Sequence, residues 1–199
     1  MCIRDSVKGI DIAEFNYAPY VQELKDKKVE VVFWTGAYQQ SVRLRQTMQQ
    51  QGYTPKLYMR DPTDYISDYV SSGGSAVDGT VVFTNFAMFE EANKNPEMAL
   101  YLQYLNQVKP GADPTFFGVF AWSATKLFVE KALALGGKLD RKTLIAEFAK
   151  TTKWTANNIH SPQNVGPKHT GDCWRFIELK GGKWSSLTSN YECKGVTVG

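Results

Sequence analysis

One short stretch constrains the fold of this chain more than any other: an apolar run that passes through a glycine turn into an amphipathic segment. The run Val29–Trp34 is rich in β-branched and aromatic residues and short enough to be a strand buried on both faces. Thr35–Gly36 turns the chain, and helical spacing then continues from Gln39 to Gly52, a helix-stop residue. A second apolar run, Lys56–Met59, follows. This order predicts a β–turn–α–β unit.

The same unit predicts where a ligand would bind. In open parallel sheets, ligands lie beyond the carboxyl ends of the strands, where Gly36–Tyr38 and Arg60–Asp61 follow the two predicted strands. Tyr38 can stack on a ligand or hydrogen-bond to it. Asp61 can accept a hydrogen bond from a ligand ammonium, or it can cap a helix that starts at Pro62. Further aromatic residues that can line a cleft or pack in the core are Trp34, Tyr58, Tyr65 and Trp122.

Composition is that of an ordinary globular protein, with 43% hydrophobic and 22% charged residues among 199. No apolar run reaches the roughly 20 residues that a membrane span needs. The net charge is only +3, and Lys and Arg form no block on one helical face. We therefore expect small molecules or proteins as partners, and no nucleic acid.

Motifs of catalysis are absent from the sequence: it has no P-loop, no dinucleotide-binding glycine pattern and no metalloprotease or nucleophile-elbow motif. Ser123 and Lys126 match a Ser-x-x-Lys pattern without its companion motifs, so we interpret them as neighbours on a packed helix face. His160, His169 and Cys173 fit no familiar zinc spacing, which favours loop or surface histidines. We expect no enzyme, no metal and no cofactor; an α/β hydrolase or transferase is the less favoured alternative.

The two ends of the chain carry separate signals. Met1–Ser6 lacks the apolar core of a signal peptide and resembles translated adapter sequence at the start of metagenomic reading frames, so a true N-terminus is expected upstream. Near the other end, Gly181–Gly182 between two strand-like runs predicts a β-hairpin. Cys173 and Cys193 bracket this hairpin, as free buried thiols or, in an exported protein, as a disulfide worth ~3 kcal/mol.

The helices predicted in the second half lack β-strands of their own. They cover Glu97–Val108, Thr115–Leu135 and Asp140–Lys150. Five sets of segments then resemble, in order, one family: Val21–Lys25 with Val29–Phe33, Gly36 with Arg45–Gln46 and Gly52, Val77–Gly79, Asn95–Pro96 with Tyr101–Tyr104, and Ala121–Ala124 with Ala132–Leu133 and Gly136–Gly137. Together they resemble the substrate-binding proteins of branched-chain amino acid type ABC transporters, which have the periplasmic binding protein type I fold.

The resemblance implies an α/β fold, a three-layer α/β/α parallel sheet with one lobe mostly present, the other incomplete, and a C-terminal β-hairpin. Residues 7–83 would form most of the second lobe, and residues 84–155 would be helices that complete the first lobe. Residues 156–199 would form a C-terminal loop and hairpin near the hinge or second lobe. The helices without strands are then explained, because their sheet would belong to residues upstream of this chain.

The resemblance also implies a function without catalysis. The protein would bind an amino acid or similar small polar metabolite between its lobes and deliver it to the membrane permease of an ABC transporter. We expect a periplasmic or extracellular protein, lipid-anchored or free, that is a monomer at full length. A ligand-binding sensor or receptor domain of the same fold is the alternative.

Two positions of the family's ligand site can be matched to this sequence. Tyr38, or else Ala37, matches the aromatic residue after the strand and glycine turn, and Asp61, or Arg60, matches the acidic residue that receives an α-ammonium. Arg60–Pro62 replaces a Gly-Pro-Glu-like loop, which leaves ligands other than amino acids open. The pair Cys173 and Cys193 resembles a subset of the family with a disulfide in the C-terminal hairpin.

Overall fold

The computed structural model describes residues 7–193; the adapter-like opening, Met1–Ser6, lies outside this range. The helices are α1 (Ala18–Asp26), α2 (Tyr38–Gln50), α3 (Ser67–Gly73), α4 (Pro96–Val108), α5 (Phe116–Leu135) and α6 (Arg141–Ala149). The strands are β1 (Val31–Trp34), β2 (Leu57–Arg60), β3 (Thr80–Thr84), β4 (Arg175–Lys180) and β5 (Lys183–Ser186). Within this range, no helix is both long and apolar enough to cross a bilayer.

The five strands form one mixed sheet in the order β1-β2-β3-β4-β5. The first three strands are parallel, and β4 and β5 add to them as an antiparallel hairpin. Gly181 and Gly182 both have positive φ, which suits a tight two-residue hairpin turn and favours glycine there. The predicted α/β fold and the terminal hairpin are confirmed, and the hairpin joins the sheet of the β/α half.

Polar side chains begin several helices where the sequence predicts them. Asn95 Oδ1 accepts a hydrogen bond from Met98 N–H at 3.0 Å, and Asp140 Oδ1 accepts one from Thr143 N–H at 2.8 Å. The single helix predicted from Asp61 is instead two short helices, because extended backbone at Ile66 separates a 3-10 turn from α3. Helix caps are therefore easier to predict from the sequence than the points at which a helix is interrupted.

The buried side chains pack against one face of the sheet. Tyr58, Val82 and Ile177 project from three neighbouring strands to this face and belong to the buried clusters. Helix α2 covers it with Leu44 and Met48. Each fully buried apolar side chain of this size contributes about 1.5–3 kcal/mol relative to exposure, so this face is the main source of stability.

Strand β1 departs from the prediction that it is buried on both faces. Val32 is buried, whereas Val31 is 54% and Phe33 is 50% exposed. Alternate residues of a strand point to opposite faces, and the described helices do not cover the opposite face at this edge strand. The third layer of the α/β/α arrangement is therefore incomplete over β1 in residues 7–193.

Helices α4 to α6 are only partly packed. Met98, Tyr101 and Val119 enter a buried cluster with Phe86 and Ile177, which connects α4 and α5 to the sheet. Five more of their apolar side chains are partly buried against this cluster: Leu102, Leu105, Phe116, Phe120 and Trp122. Other apolar side chains of these helices are exposed; they include Leu100, Tyr104, Val108, Phe117, Phe128, Val129, Leu133 and Ile145. These helices were predicted to lack a sheet of their own, and in the described residues much of their apolar surface has no cover.

Candidate functional site

The carboxyl ends of β1 and β2 are joined by a fully buried arginine. Arg60 Nη2 donates hydrogen bonds to the carbonyl oxygen of Gly36 at 2.8 Å and to Asp64 Oδ1 at 2.6 Å. Its Nη1 donates to the carbonyl oxygen of Trp34, and its Nε donates to Asp64. Burial works to lower the pKa of Arg60, but its bonds to Asp64 outweigh this and leave that pKa above its ordinary value.

This arrangement makes Arg60 part of the floor beneath the strand ends. Its side chain has no exposed surface, and its donors are directed to two backbone carbonyls and one carboxylate. A guanidinium so placed fixes the glycine turn after β1 against β2. Direct contact with a ligand is not available to Arg60 in this conformation.

Of the two roles that its position allows, Asp61 adopts that of a cap. Its Oδ1 accepts a hydrogen bond from Thr63 N–H at 2.9 Å and another from the Thr63 hydroxyl, as an N-cap does. Its Oδ2 lies 3.6 Å from Arg60 Nη1. Binding of a ligand ammonium by Asp61 stays a prediction, and would have to compete with these contacts.

Tyr38 and Ala37 lie at the predicted edge, where β1 passes into α2. Ala37 is the exposed N-cap residue of α2, and Tyr38 is its first helical residue. The Tyr38 hydroxyl donates to Asp68 Oδ2 of α3 at 3.4 Å. Tyr38, Ala37 and Asp61 therefore follow neighbouring parallel strands at the same edge of the sheet, above Arg60.

Trp122 lies elsewhere. It belongs to α5, its Nε1 donates to Glu97 Oε1 at 2.8 Å, and its ring lies against Tyr101 and Tyr104. These partners all belong to α4. The structure thus gives Trp122 a place between two helices and does not bring it into contact with Tyr38 or Asp61.

An open groove of about 450 Å³ lies beside the ends of β2 and β3. We call it the Trp184 groove, after the β5 residue at its wall. Tyr65 and Phe89 contribute the other aromatic rings, while Glu90 and Asp113 contribute carboxylates. The remaining lining residues are Ile66, Ser67, Val70, Ser71, Pro114 and Gly182.

Of the residues that define this groove, only Tyr65 was among the candidate cleft aromatics. Phe89 and Glu90 lie in the segment after β3, so the rule about strand ends could have indicated that segment, although they are further from the strand than Asp61 is from β2. Trp184 could not be found in this way, because its position depends on the hairpin joining β3. No pattern in the sequence near Asp113 signals its approach to α3.

The polar groups of the groove are tied by few hydrogen bonds. The buried Tyr65 hydroxyl donates to Glu90 and accepts from Phe89 N–H at 3.0 Å, and the Ser67 hydroxyl donates to Asp113. Burial, followed by the nearby Glu90 carboxylate, raises the pKa of Tyr65, so its hydroxyl remains a donor at neutral pH. The described lining contains no Lys or Arg. Because much of its lining consists of aromatic and aliphatic side chains, the groove can hold a small molecule with an apolar body.

Comparisons with known proteins identify the architecture. The profile of a family described as "Periplasmic binding protein" matches residues 9–183. The chain belongs to the periplasmic binding protein family. The family's location is extracytoplasmic, and its members bind solutes.

Solved structures share the fold of this periplasmic binding protein chain. A fatty acid ABC transporter substrate-binding protein from Thermomonospora curvata is 19% identical with a TM-score of 0.73, over 93% of this chain and 49% of that one. A branched-chain amino acid ABC transporter from Thermus thermophilus with bound valine is 17% identical with a TM-score of 0.72, over 90% and 50%. A leucine-binding protein from Thermotoga maritima is 16% identical with a TM-score of 0.70, over 88% and 49%.

At these identities the likeness shows the fold alone. The chain spans about half the length of the structures that it resembles. No curated protein matched its sequence. Ligand and partners therefore have to be argued from the residues of the periplasmic binding protein chain itself.

A buried serine–histidine pair lies in the same chain, and its histidine is bridged to Phe86, just after β3. Ser123 Oγ lies 2.7 Å from His160 Nε2 and accepts a hydrogen bond from Trp154 Nε1 at 2.9 Å. His160 Nδ1 lies 2.8 Å from the Ser161 carbonyl oxygen, which makes Nδ1 the donor and leaves Nε2 to accept from Ser123. His160 was expected in a loop or at the surface; it is in a loop but buried, and burial lowers its pKa.

The surroundings of this pair support its interpretation as packing. Ser123 and His160 are both buried, and a backbone carbonyl, not a carboxylate, orients the imidazole. Lys126 lies 3.5 Å from Glu97 and from Glu130, so the Ser-x-x-Lys residues have separate partners. A nucleophile in this position would have no access to a substrate.

Two extended segments lie side by side next to His160. Ala87 N–H donates to the Ile159 carbonyl oxygen at 2.8 Å, and Ser161 N–H donates to the Asn85 carbonyl oxygen at 2.7 Å. Phe86 and His160 form the antiparallel bridge between them. The exit from β3 and the segment that leads back toward β4 are therefore held side by side.

Cys173 and Cys193 form a disulfide, in the pairing that the resemblance implies. The neighbouring residues Trp174 and Glu192 exchange two backbone hydrogen bonds, of 2.9 and 2.7 Å. The bond closes the outer end of the hairpin, opposite to the turn at Gly181–Gly182.

Proposed function

We propose that this chain is part of the solute-binding component of an ABC importer and forms one wall of a ligand cleft between two lobes. The observation that carries this proposal is a contrast between two surfaces. One is the strand-end edge, where Tyr38, Ala37 and Asp61 lie above the buried Arg60; the other is a set of helices with uncovered apolar faces. Arg60 organises the edge, while Phe117, Phe128 and Leu133 are left exposed on α5. Membership in the family and its shared fold support the same conclusion.

The lobe assignment belongs to this proposal. Residues 7–83 would form most of the second lobe, residues 84–155 would supply helices to the first, and residues 156–199 would return the chain to the second. Pairing of β4 with β3 supports the last step, because it joins the hairpin to the sheet of residues 31–84. The bridge between Phe86 and His160 would then lie where the chain crosses between lobes.

Ligand binding would act through the equilibrium between open and closed lobes. A ligand that contacts both walls binds the closed form better, and so shifts the population toward it. The permease would recognise that closed form in the periplasm or at the cell surface. The disulfide supports such a location, because disulfides persist in oxidising compartments.

Tyr38 is the residue of the strand-end edge to test first. In the protein translated from the complete reading frame, we expect one class of small metabolite to raise the melting temperature and reduce the radius of gyration in solution. Tyr38→Ala should weaken that binding by about tenfold, which corresponds to about 1.4 kcal/mol. Tyr104→Ala is the matched control, because Tyr104 lies on α4 beside Trp122.

The 199-residue chain alone should bind the same metabolite far more weakly than the complete protein, since it supplies one wall only. Nanomolar binding by the chain alone would contradict the cleft proposal. So would a complete protein that no amino acid, fatty acid or related small metabolite stabilises.

A further inference from the structure

We propose that the Trp184 groove receives the amine end of the solute, so that the ligand is an organic cation with an apolar body and not a free fatty carboxylate. This inference rests on the proposed function and assigns a chemical class to its ligand. It depends on the walls of the groove, on the carboxylates at its rim and on the state of the other acidic residues at the strand-end edge.

The walls of the groove are apolar and suit a small organic molecule. The rings of Tyr65 and Phe89 are stacked with centroids 4.7 Å apart, and Trp184 meets Tyr65 edge to face at 5.3 Å. A volume of about 450 Å³ is within the ordinary range for small-molecule sites. Stacked and edge-to-face pairs of this kind stabilise one another, so the walls are packed before a ligand binds.

The rim supplies two carboxylates from different parts of the chain. Glu90 follows β3, and Asp113 lies in the loop before α5; both are exposed. Each accepts one described side-chain hydrogen bond, from Tyr65 and from Ser67 respectively. A carboxylate has about four acceptor positions, so both retain capacity for an ammonium group.

Two other acidic residues near this edge, Asp61 and Asp64, are already engaged with protein groups, and Asp68, which accepts from the Tyr38 hydroxyl, is not among the residues that line the groove. Asp64 is buried in its ion pair with Arg60, and Asp61 caps the turn at Thr63 while lying near the same guanidinium. A cation at Asp61 would also have to approach the positive charge of Arg60. Glu90 and Asp113 have no Lys or Arg beside them in the groove lining, and the nearby Arg175 is already paired with Glu91, so the two carboxylates attract a ligand amine.

The same absence of basic side chains along the groove disfavours a ligand carboxylate. A fatty acid that entered this groove would place its negative charge near Glu90 and Asp113, with no cation among the described lining residues to offset the repulsion. The acidic rim therefore separates the amine-bearing solutes from the fatty acids, although structures with this fold are known for proteins of both kinds.

Three probes with the same phenyl body and different charge test this inference: 2-phenylethylamine, 2-phenylethanol and 3-phenylpropanoate. Binding to the complete protein, in which both walls of the cleft are present, would be followed by calorimetry and ligand-observed NMR at low ionic strength. We expect the amine to bind at least about tenfold more tightly than the alcohol and the carboxylate to show no binding, since the difference comes from charge.

Neutral variants locate the effect. Asp113→Asn and Glu90→Gln should each weaken binding of the amine and leave binding of the alcohol unchanged, and the double variant should bring the two probes to equal affinity. Asp113→Asn is the safer variant for folding, because Asp113 lies in an exposed loop; far-UV circular dichroism checks both. Asp26→Asn, on the exposed surface of α1, is the matched control.

The outcomes separate this inference from the proposed function. Equal binding of amine and carboxylate, no binding of any probe, or unchanged affinity in the double variant would overturn the amine site. If the complete protein still binds some metabolite through Tyr38, the solute-binding role stands without it. If no metabolite stabilises the complete protein, it is the proposed function that fails.

Discussion

Two regions of this molecule use the same residue types with opposite results. We call α1 to β3 together with the hairpin β4–β5 the sheet region, and α4 to α6 the helical region. Ile177 and Leu179 of the sheet region are 0% exposed, whereas Ile145 and Leu133 of the helical region are 53% and 76% exposed. Ile177 is buried in a cluster to which α4 and α5 also contribute, whereas much of the apolar surface of the helical region has no cover among the described residues.

The two regions differ in whether another element covers their apolar side chains, and not in how hydrophobic those side chains are. Burial of apolar surface contributes about 25 cal/mol per Å², and an exposed leucine or isoleucine contributes almost none of this. A helix in isolation is marginal in water, so most of its stability has to come from packing of an apolar face. The helical region therefore depends on the contacts that α4 and α5 make with the cluster around Phe86 and Ile177, through the buried Met98, Tyr101 and Val119 and through partly buried neighbours of these residues.

Loss of the buried ion pair should produce the largest effect and is confined to the sheet region. Asp64→Ala leaves Arg60 buried and unpaired, which should lower the free energy of unfolding by about 3–5 kcal/mol in urea denaturation. Glu30→Ala removes the exposed partner of Lys56 and serves as the control, with little change expected. Similar losses in the two variants would show that the edge is not held by Arg60.

A matched pair of isoleucines tests the contrast directly. Ile177→Ala should lower the free energy of unfolding by about 2–5 kcal/mol, because it removes a fully buried side chain and leaves a cavity. Ile145→Ala, on the exposed surface of α6, should have only a small effect. The contrast between the two regions would be contradicted if Ile145→Ala were as destabilising as Ile177→Ala in the same urea titration.

Reduction of the disulfide should weaken the sheet region through its hairpin. Cys173 and Cys193 are 20 residues apart, and closing a loop of this size stabilises the folded state by about 3 kcal/mol in the chain-entropy model. Urea unfolding with and without dithiothreitol measures the difference. The Cys173→Ser, Cys193→Ser double variant should no longer respond to dithiothreitol; a continued response would assign the effect to something else.

The smallest expected effect is a pH dependence at the junction of the two regions. Burial lowers the pKa of His160 in the folded state, so the unfolded chain binds more protons as the pH falls through the ordinary histidine range near 6.5. The folded state keeps its full stability above that range and loses stability below it. Protonation would also require Nε2 to stop accepting from Ser123.

Charged side chains of the adjacent helices do not offset the effect of burial on the pKa of His160. Glu97 and Lys126 of the adjacent helices contact each other, and the ring of His160 lies instead against Phe120. His160→Gln should therefore flatten the difference in unfolding free energy between pH 7.5 and 5.5. The exposed His169 provides the control, since His169→Gln should leave the difference in place.

The sequence predicted the fold well wherever a local rule was sufficient. Caps at Asn95 and Asp140 and the glycine turn at Gly181–Gly182 each depend on a few adjacent residues, and all three are observed. Burial of β1 on both faces was wrong, because burial depends on which element covers a strand. An apolar run alone does not say whether that element is present.

Prediction of the site divides in the same way. Tyr38 and Asp61 lie at the sheet edge where the strand-end rule expects them, and their contact with a ligand stays a prediction. Arg60 turns inward, and its guanidinium donates to the Trp34 and Gly36 carbonyls. That orientation depends on Asp64, four residues away and buried with it. The Trp184 groove needs contacts between distant segments, which one sequence without a structure does not reveal.

The pairing of β3 with β4 has a consequence for how the chain folds. Val81 is aligned with Glu178, so the fourth strand of the sheet emerges roughly 100 residues after the third. At a synthesis rate of about 5–20 residues per second, β3 remains an open edge for several seconds while α4 to α6 are made. Completion of the sheet is therefore a late step, and the disulfide can form only after the last strands have arrived.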